Sequence, residues 1–291
     1  MIPFAKGHGL GNDYLVIDEK DLPGPLSAKA IVRICDRNWG VGSDGILLRV
    51  PTGRADFGVR ILNPDGSEAE KSGNGLRIFA KYLRDHGHAK GDVFTVDTKG
   101  GVVECRCQTR DGLVKFVTVE MGRATFRPAE IPMTSAAAEA VDVTLALGDG
   151  AAVTATAVSV GNPHCVVFVD RLDDEETRRV GPLLERHPVF PNRTNVQFAR
   201  VLARDVMEIR IWERGAGYTL ASGSSSCGAA SAAVRTGRCD AGRVTVRMPG
   251  GELTVHVRAD WSLRLEGAVE EVCTGVMGRE FVERYVTGGG R

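Results

Sequence analysis

Two stretches of alternating apolar and polar residues lie far apart in the chain, and a turn and a helical pattern follow each of them. The runs FGVRIL (57–62) and VMEIRIW (206–212) alternate as half-buried strands do. After each come turn-forming residues and then a segment that starts with Ser-Gly, SGNGLRIFAKYL or SGSSSCGAASAAV. Four apolar side chains fall on one face of the first predicted helix: Leu76, Phe79, Ala80 and Leu83. The second helix consists mostly of small residues, which predicts close packing all round.

The pattern repeats along the chain at a fixed spacing, position n against position n + 150. A shared spacing over so long a span indicates duplication rather than chance, even in a chain rich in glycine, valine and alanine. We predict an α+β fold of two pseudo-symmetric modules, each a curled, mostly antiparallel sheet around a central helix. Matched pairs include Gly11-Asn12 with Gly161-Asn162, Ser72-Gly73 with Ser222-Gly223, and Gly100-Gly101 with Gly250-Gly251.

The expected module boundaries follow from this repeat. The N-terminal module is residues 1–122 plus a C-terminal return at 274–291, and the C-terminal module is residues 123–273. The linker is expected near residues 120–130. The segment REFVERY predicts a short returning helix, and TGGGR predicts a frayed end.

Composition excludes several classes of partner. Lysine plus arginine and aspartate plus glutamate number 37 each, so we expect no surface for nucleic acid or an anionic membrane. No apolar run approaches membrane-spanning length, and MIPFAKGHGLGND lacks the apolar core of a signal peptide, so cytoplasm is the expected location. Seven scattered cysteines argue against a disulfide framework, and Cys105 and Cys107 are expected in the core.

The two Ser-Gly helix starts are the first candidate chemistry. The first N–H groups of a helix lack an internal partner, and the helix dipole adds partial positive charge there, so such an end binds an anion. The alternative is that Ser72 and Ser222 are simply N-caps, because serine is among the best capping residues. Two matched helices in two matched modules favour a shared anion site for a small molecule.

The motifs around these serines resemble, in order, those of diaminopimelate epimerases. They are GHGLGNDYLVID, NWGVGSDGILL, NPDGSEAEKSGNGLR, VSVGNPHCVVFVD, FPNRTNVQF and WERGAGYTLASGSSSCGAA. The resemblance implies inversion at the α-carbon of a small zwitterionic amino acid with a second charged end, here conversion of LL- to meso-diaminopimelate for lysine and peptidoglycan precursors. It implies no cofactor, neither pyridoxal phosphate nor metal, and a homodimer.

The resemblance also implies site residues. Inversion needs one proton carrier on each face of the carbon, and the positions that match the family's two catalytic cysteines hold Ser72 and Ser222. Arg214 would pair with the distal carboxylate and Glu213 with the distal ammonium. Further matched positions are the N–H groups expected to hold the α-carboxylate, at Gly73, Asn74, Gly223 and Ser224, and the substrate-contacting asparagines Asn12, Asn63, Asn162 and Asn195. His164 is interpreted as structural in preference to lining the pocket.

The two serines leave three interpretations open. The chain is an engineered Cys→Ser variant that traps substrate, a natural divergent branch, or an enzyme whose serine is activated by a group that the sequence does not reveal. Tyr218 stands where the family usually has glutamate, which favours natural divergence. The alternative functions are an amino-acid-binding pseudoenzyme, a one-sided isomerase or dehydratase, and a racemase of another amino acid.

Overall fold

The chain folds into two compact units. The computed structural model describes residues 1–148 and 150–287. One unit consists of Met1–Val119 and Gly267–Arg291, and the other of Glu120–Glu266. The boundaries expected from the repeat, after residues 122 and 273, stay a prediction. Four of the five residues of the predicted frayed end, 288–291, lie outside the described part of the chain.

Strands form most of the regular structure of both units. Along the described residues the strands are β1 (Ile2–Gly9), β2 (Asn12–Asp18), β3 (Ile46–Val50), β4 (Phe57–Leu62), β5 (Glu68–Ala69), β6 (Val93–Thr98), β7 (Gly101–Arg110), β8 (Leu113–Arg123), β9 (Val143–Gly148), β10 (Ala151–Ser159), β11 (Pro163–Phe168), β12 (Asn195–Ala203), β13 (Val206–Glu213), β14 (Gly217–Thr219), β15 (Gly242–Met248), β16 (Gly251–Val257), β17 (Ser262–Ala268) and β18 (Glu270–Met277). The α-helices are α1 (Ala28–Cys35), α2 (Gly73–Asp85), α3 (Asp174–Glu185), α4 (Gly223–Arg235) and α5 (Arg279–Phe281).

The two units repeat one order of strand pairing. In the first unit, β1 pairs antiparallel with β2, β2 parallel with β3, β3 antiparallel with β4, and β4 parallel with β6. In the second, β10, β11, β12, β13 and β15 follow the same sequence of antiparallel and parallel pairs. Gly-Gly turns join β6 to β7 and β15 to β16, as predicted. The α+β class and the duplication predicted from the sequence are therefore confirmed.

Both faces of the inner strands are covered, which explains why their sequences are almost wholly apolar. In β2, Leu15 and Ile17 belong to the core that packs under α1, whereas Tyr14 and Val16 alternate to the other face, where Tyr14 reaches Ser72 at the start of α2. The second unit repeats this arrangement with α3 on one face and α4 on the other. The four apolar residues predicted for one face of α2 have no exposed surface.

The C-terminal segment belongs to the first unit and includes a short helix. Helix α5 continues into a π-helical turn over Val282–Val286, which packs against α1. The guanidinium of Arg33 on α1 lies 4.5 Å from the ring centre of Tyr285. None of the helices in the described residues is long and apolar enough to span a membrane.

Candidate active site

Helix α2 begins at a serine cap. Ser72 has extended backbone angles (φ −139°, ψ 118°), and its Oγ accepts a hydrogen bond from the N–H of Gly75 at 3.0 Å. A Cβ on Gly75 would lie 3.0 Å from the Leu47 side chain and 3.2 Å from Ser72 Oγ, so the close cap favours glycine. The hydroxyl of Tyr14 lies 3.4 Å from Ser72 Oγ. The cap leaves the N–H of Gly73 without a partner inside the helix.

A chain of hydrogen bonds fixes two of the predicted asparagines beside this helix start. Asn74 Nδ2 donates to Asn12 Oδ1 at 3.1 Å, and Asn12 Nδ2 donates to Asp44 Oδ2 at 2.9 Å. The fully buried Arg77 donates to Asn74 Oδ1 at 2.8 Å. Each amide is therefore oriented by a partner on a different element.

Asp13, next to Asn12, belongs to a charged cluster in this region. Arg37 Nη2 contacts Asp13 and Asp44, each at 2.7 Å, and Lys6 Nζ lies 3.1 Å from Asp13. Burial raises the pKa of Asp13, but hydrogen bonds from Arg37 and Lys6 outweigh it and hold the pKa below its usual value. The cluster fixes the loop that carries Asp44, and thereby Asn12.

Asn63 bonds within its own turn and not to the hydrogen-bonded series of Asn74, Asn12 and Asp44. Its Nδ2 donates to Ser67 Oγ at 2.9 Å, and its backbone pairs with Ser67 and Gly66. It shapes the turn between β4 and β5, the ordinary role of asparagine in turns.

Helix α4 begins at an equivalent serine with different neighbours. Ser222 has the same extended backbone (φ −152°, ψ 127°), but its Oγ lies 3.5 Å from the N–H of Ser225. The carboxylate of Glu213 accepts a hydrogen bond from Thr219 Oγ1 at 2.9 Å. Burial raises the pKa of Glu213, and this outweighs the lowering by its neighbours Thr219 and Ser222. The carboxylate of Glu213 is thus a neighbour of Ser222, one of the two candidate proton carriers.

His164 is structural, as the sequence interpretation favoured. It is fully buried, and burial lowers its pKa to about 3, so the imidazole is neutral. Its Nε2 therefore donates to Asn162 Oδ1 at 2.9 Å, and its Nδ1 accepts from Gln197 Nε2 at 3.1 Å. The same Gln197 nitrogen donates to Ser225 Oγ at 3.0 Å. His164 thereby orients Asn162 and links it to the first turn of α4.

Asn195 and Arg214 in the second unit are bonded to each other and to backbone carbonyls. Asn195 Oδ1 accepts from the backbone N–H of Arg214 at 3.0 Å, and its Nδ2 donates to the Pro163 carbonyl at 3.0 Å. Arg214 Nη1 donates to the carbonyl of Asn192 at 3.1 Å, and the side chain is exposed. An exposed guanidinium that is held by one nitrogen can still donate to a carboxylate through its others.

Tyr218 points away from Ser222. It pairs with Trp212 across β13 and β14, so it lies on the face opposite Glu213. The guanidinium of Arg178 from α3 lies over its ring, 4.0 Å from the ring centre. The residue that departs from the family pattern therefore lies on the face of the strand pair opposite Glu213.

Comparison with known proteins agrees with the motifs. The family model for diaminopimelate epimerase matches residues 4–127 and 156–271. The chain belongs to the diaminopimelate epimerase family. Diaminopimelate epimerase 2 of Nostoc sp. is 47% identical over 278 residues, which span 95% of this chain and 96% of its own. Diaminopimelate epimerase of Pelotomaculum thermopropionicum is 43% identical over 94% of this chain and 97% of its own.

Solved structures of other proteins show the same fold at low sequence identity. A probable proline racemase from Agrobacterium radiobacter superposes with a TM-score of 0.68 at 17% identity, covering 96% of this chain and 93% of its own. A hydroxyproline epimerase from Agrobacterium vitis gives a TM-score of 0.64 at 18% identity, with coverage of 94% and 90%. At these identities the likeness concerns the fold of the family alone.

Sequence reasoning missed several residues that hold the candidate site. Tyr14 and Gln197 read as ordinary strand residues, and their contacts with the helix starts follow only from strand register. Asp44 lies in the motif NWGVGSDGILL, which contains none of the predicted site residues. A polar residue inside an otherwise apolar strand, such as Gln197 in NVQF, was the available signal.

Proposed function

We propose that this protein is a diaminopimelate epimerase that inverts the α-carbon by two-base proton transfer, with Ser72 and Ser222 as the proton carriers. The supporting observation is that equivalent helices of the two units each begin at one of these serines. Inversion needs one proton carrier for each face of the carbon. A duplicated unit supplies two such groups from one ancestral arrangement.

The α-carboxylate of the substrate is assigned to the helix N-termini. The N–H groups of Gly73 and Asn74, and those of Gly223 and Ser224, provide donors and partial positive charge without a side-chain cation. The same donors stabilise the negative charge that develops when the α-proton leaves. Pyridoxal phosphate and metal chemistry have no role in this proposal.

Ser222 is assigned as the serine with its own base. A serine hydroxyl is hardly ionised near neutral pH and needs an adjacent proton acceptor. The resemblance implies Glu213 as the partner of the distal ammonium, but its buried carboxylate beside Ser222 supports a role as that acceptor. Glu213 takes the hydroxyl proton while Ser222 Oγ takes the α-proton.

Ser72 is assigned to the opposite face, where it returns a proton to the carbanion. The Tyr14 hydroxyl within 3.4 Å is the group that can resupply the Ser72 hydroxyl with a proton. A tyrosine is a weaker acid–base partner than a carboxylate near neutral pH, since its ordinary pKa is about 10. We therefore expect inversion that is slow compared with that of a thiol-based enzyme.

Arg214 is assigned to the distal carboxylate. Its exposed guanidinium offers the planar pair of donors that suits a carboxylate. The asparagines Asn12, Asn63, Asn162 and Asn195 are assigned to the substrate's polar groups, with three of them oriented by partners on other elements. We also propose that the protein is a cytoplasmic homodimer, as the family resemblance implies.

The test is conversion of LL- to meso-diaminopimelate by the purified chain in the presence of a metal chelator and without added cofactor. We expect slow, complete equilibration of the two isomers, together with incorporation of solvent deuterium at the α-carbon. Tight binding without exchange or inversion would refute the proposal and leave a ligand-binding protein. Exchange or elimination without inversion would refute it in favour of one-sided chemistry.

A further inference from the structure

The last residue of α3, Glu185, has a buried carboxylate with three donors around it. The side chain is 3% exposed. Its Oε1 accepts from the backbone N–H of Gly215 and from Arg193 Nη1, each at 3.1 Å. Its Oε2 accepts from Trp212 Nε1 at 3.0 Å. These donors come from two separate segments, so one carboxylate holds both segments to the end of α3.

Both segments carry residues of the candidate site. Gly215 directly follows Arg214 in the turn after β13, and Arg193 lies in the loop between α3 and β12. That loop also supplies the Asn192 carbonyl that holds the Arg214 side chain. The backbone carbonyl of Glu185 accepts from Thr194 N–H at 3.1 Å and fixes the loop a second time.

The helix end is an unfavourable place for this carboxylate. The C-terminal end of a helix carries partial negative charge, which favours lysine or arginine there. A buried carboxylate also loses hydration and is tolerated only when donors replace the water. The three donors replace the hydration that the carboxylate loses. They belong to the segment that carries Arg214 and to the loop that holds the Arg214 side chain.

We propose that Glu185 is a positioning residue for recognition of the substrate's second charged end, acting through Arg214. The proposal rests on the function proposed above, in which Arg214 binds the distal carboxylate. Glu185 does not touch the ligand. Its carboxylate fixes the Arg214 backbone on one side and the Asn192 carbonyl on the other, so that the guanidinium is already oriented when the ligand arrives.

The experiment compares two ligands that differ at the distal end. Lysine is diaminopimelate without its distal carboxylate, so calorimetry with both ligands isolates that contact. We expect Glu185→Gln to weaken binding of diaminopimelate about tenfold, since small misplacements of an orienting group have large effects. Binding of lysine should change less than twofold. The control is Glu176→Gln, an exposed glutamate on the same helix, which should change neither.

A second substitution provides a rescue. In Glu185→Gln the amide nitrogen opposes the Trp212 indole N–H, and this repulsion displaces the side chain from Gly215 and Arg193. Adding Trp212→Phe removes that conflict, so the double variant should bind diaminopimelate more tightly than Glu185→Gln alone. A purely structural role predicts the opposite, because the smaller ring adds a packing defect.

Equal losses for both ligands, no loss for diaminopimelate, or no rescue would overturn the proposal. If the unmodified chain binds no diaminopimelate, the proposed function fails. Hydrogen exchange at the Gly215 amide then decides the positioning role. Faster exchange in Glu185→Gln than in Glu176→Gln supports it, and equal exchange refutes it.

Discussion

The starts of α2 and α4 share a backbone but differ in the side chains around it. Both begin at a serine with extended φ and ψ and a bond to the third residue of the helix. At the position that holds Glu213 beside Ser222, the first unit has Asn63, which bonds Ser67 instead. Ser72 has the Tyr14 hydroxyl as its neighbour.

The first turn of the two helices differs in the same way. In the first unit, Gly75 packs against the apolar Leu47. The equivalent residues of the second unit are Ser225 and Gln197, which form a buried hydrogen bond and continue to His164. The comparison teaches that the duplication conserves the helix start, which depends on backbone geometry, while the proton chemistry depends on side chains that have diverged.

The largest effect is expected from making both proton carriers thiols. A thiol has an ordinary pKa of about 8.5, and a helix N-terminus lowers it further. We expect Ser72→Cys combined with Ser222→Cys to raise the rate of inversion about 10²–10⁴-fold. The rate of LL- to meso-diaminopimelate conversion measures it. A folded double variant that is no faster would show that the surrounding groups are adapted to serine.

Removing the carboxylate tests the difference between the two serines. Glu213→Gln should lower the inversion rate about 10²-fold, whereas Glu208→Gln on the same strand should leave it unchanged. Because burial raises the pKa of Glu213, the rate of the unmodified chain should fall as the pH drops through that raised value. The pH–rate profile of Glu213→Gln should lack this acid limb. An unchanged profile would argue against Glu213 as the proton acceptor.

The same raised pKa has a consequence for stability. Protonated Glu213 favours the folded state, an effect present below the ordinary pKa of 4.5 and lost as the pH rises through the raised value. The melting temperature of Glu213→Gln relative to the unmodified chain should therefore increase between pH 4 and pH 7. A constant difference across that range would mean that burial does not control this carboxylate.

The charged cluster of the first unit predicts the opposite dependence on pH. The pKa of Asp13 is held below 3.8, so its ionised form stabilises the fold above that pH, and the contribution is lost as the pH falls through the lowered value. Asp13→Asn should cost about 1–3 kcal/mol at pH 7. Urea unfolding at pH 7 and at pH 3 measures the cost, which should shrink at pH 3. The position equivalent to Asp13 in the second unit is Pro163, and Asn162 there is hydrogen-bonded by His164.

Most of the fold was accessible from the sequence, because strand alternation, Gly-Gly turns and the repeat are local signals. The helix start at Ser72 followed from capping preference. The proximity of Glu213 to Ser222 could not be predicted from the sequence. It depends on the register of β13 against β14, which places Glu213 and Tyr218 on opposite faces. The role of Glu185 was also hidden, because its donors come from two separate segments.

The smallest effect separates the structural role of Ser72 from its chemical role. Ser72→Ala should cost about 1 kcal/mol, the usual value of a helix cap. Ser27, which is not one of the candidate residues, caps α1 through the Ala30 N–H at 3.1 Å, and Ser27→Ala should cost the same. Thermal unfolding compares the two variants. A much larger loss in Ser72→Ala would mean that any loss of activity reflects unfolding.

The central claim is that Ser72 and Ser222 each exchange the α-proton on one face. The most direct measurement is inversion and α-deuterium incorporation in D₂O, from LL- and from meso-diaminopimelate, for the unmodified chain and the variants Ser72→Ala and Ser222→Ala. We predict that the unmodified chain inverts both isomers and that either variant loses inversion by about 10²-fold or more while still binding the ligand. Inversion by either alanine variant at the unmodified rate would contradict the account.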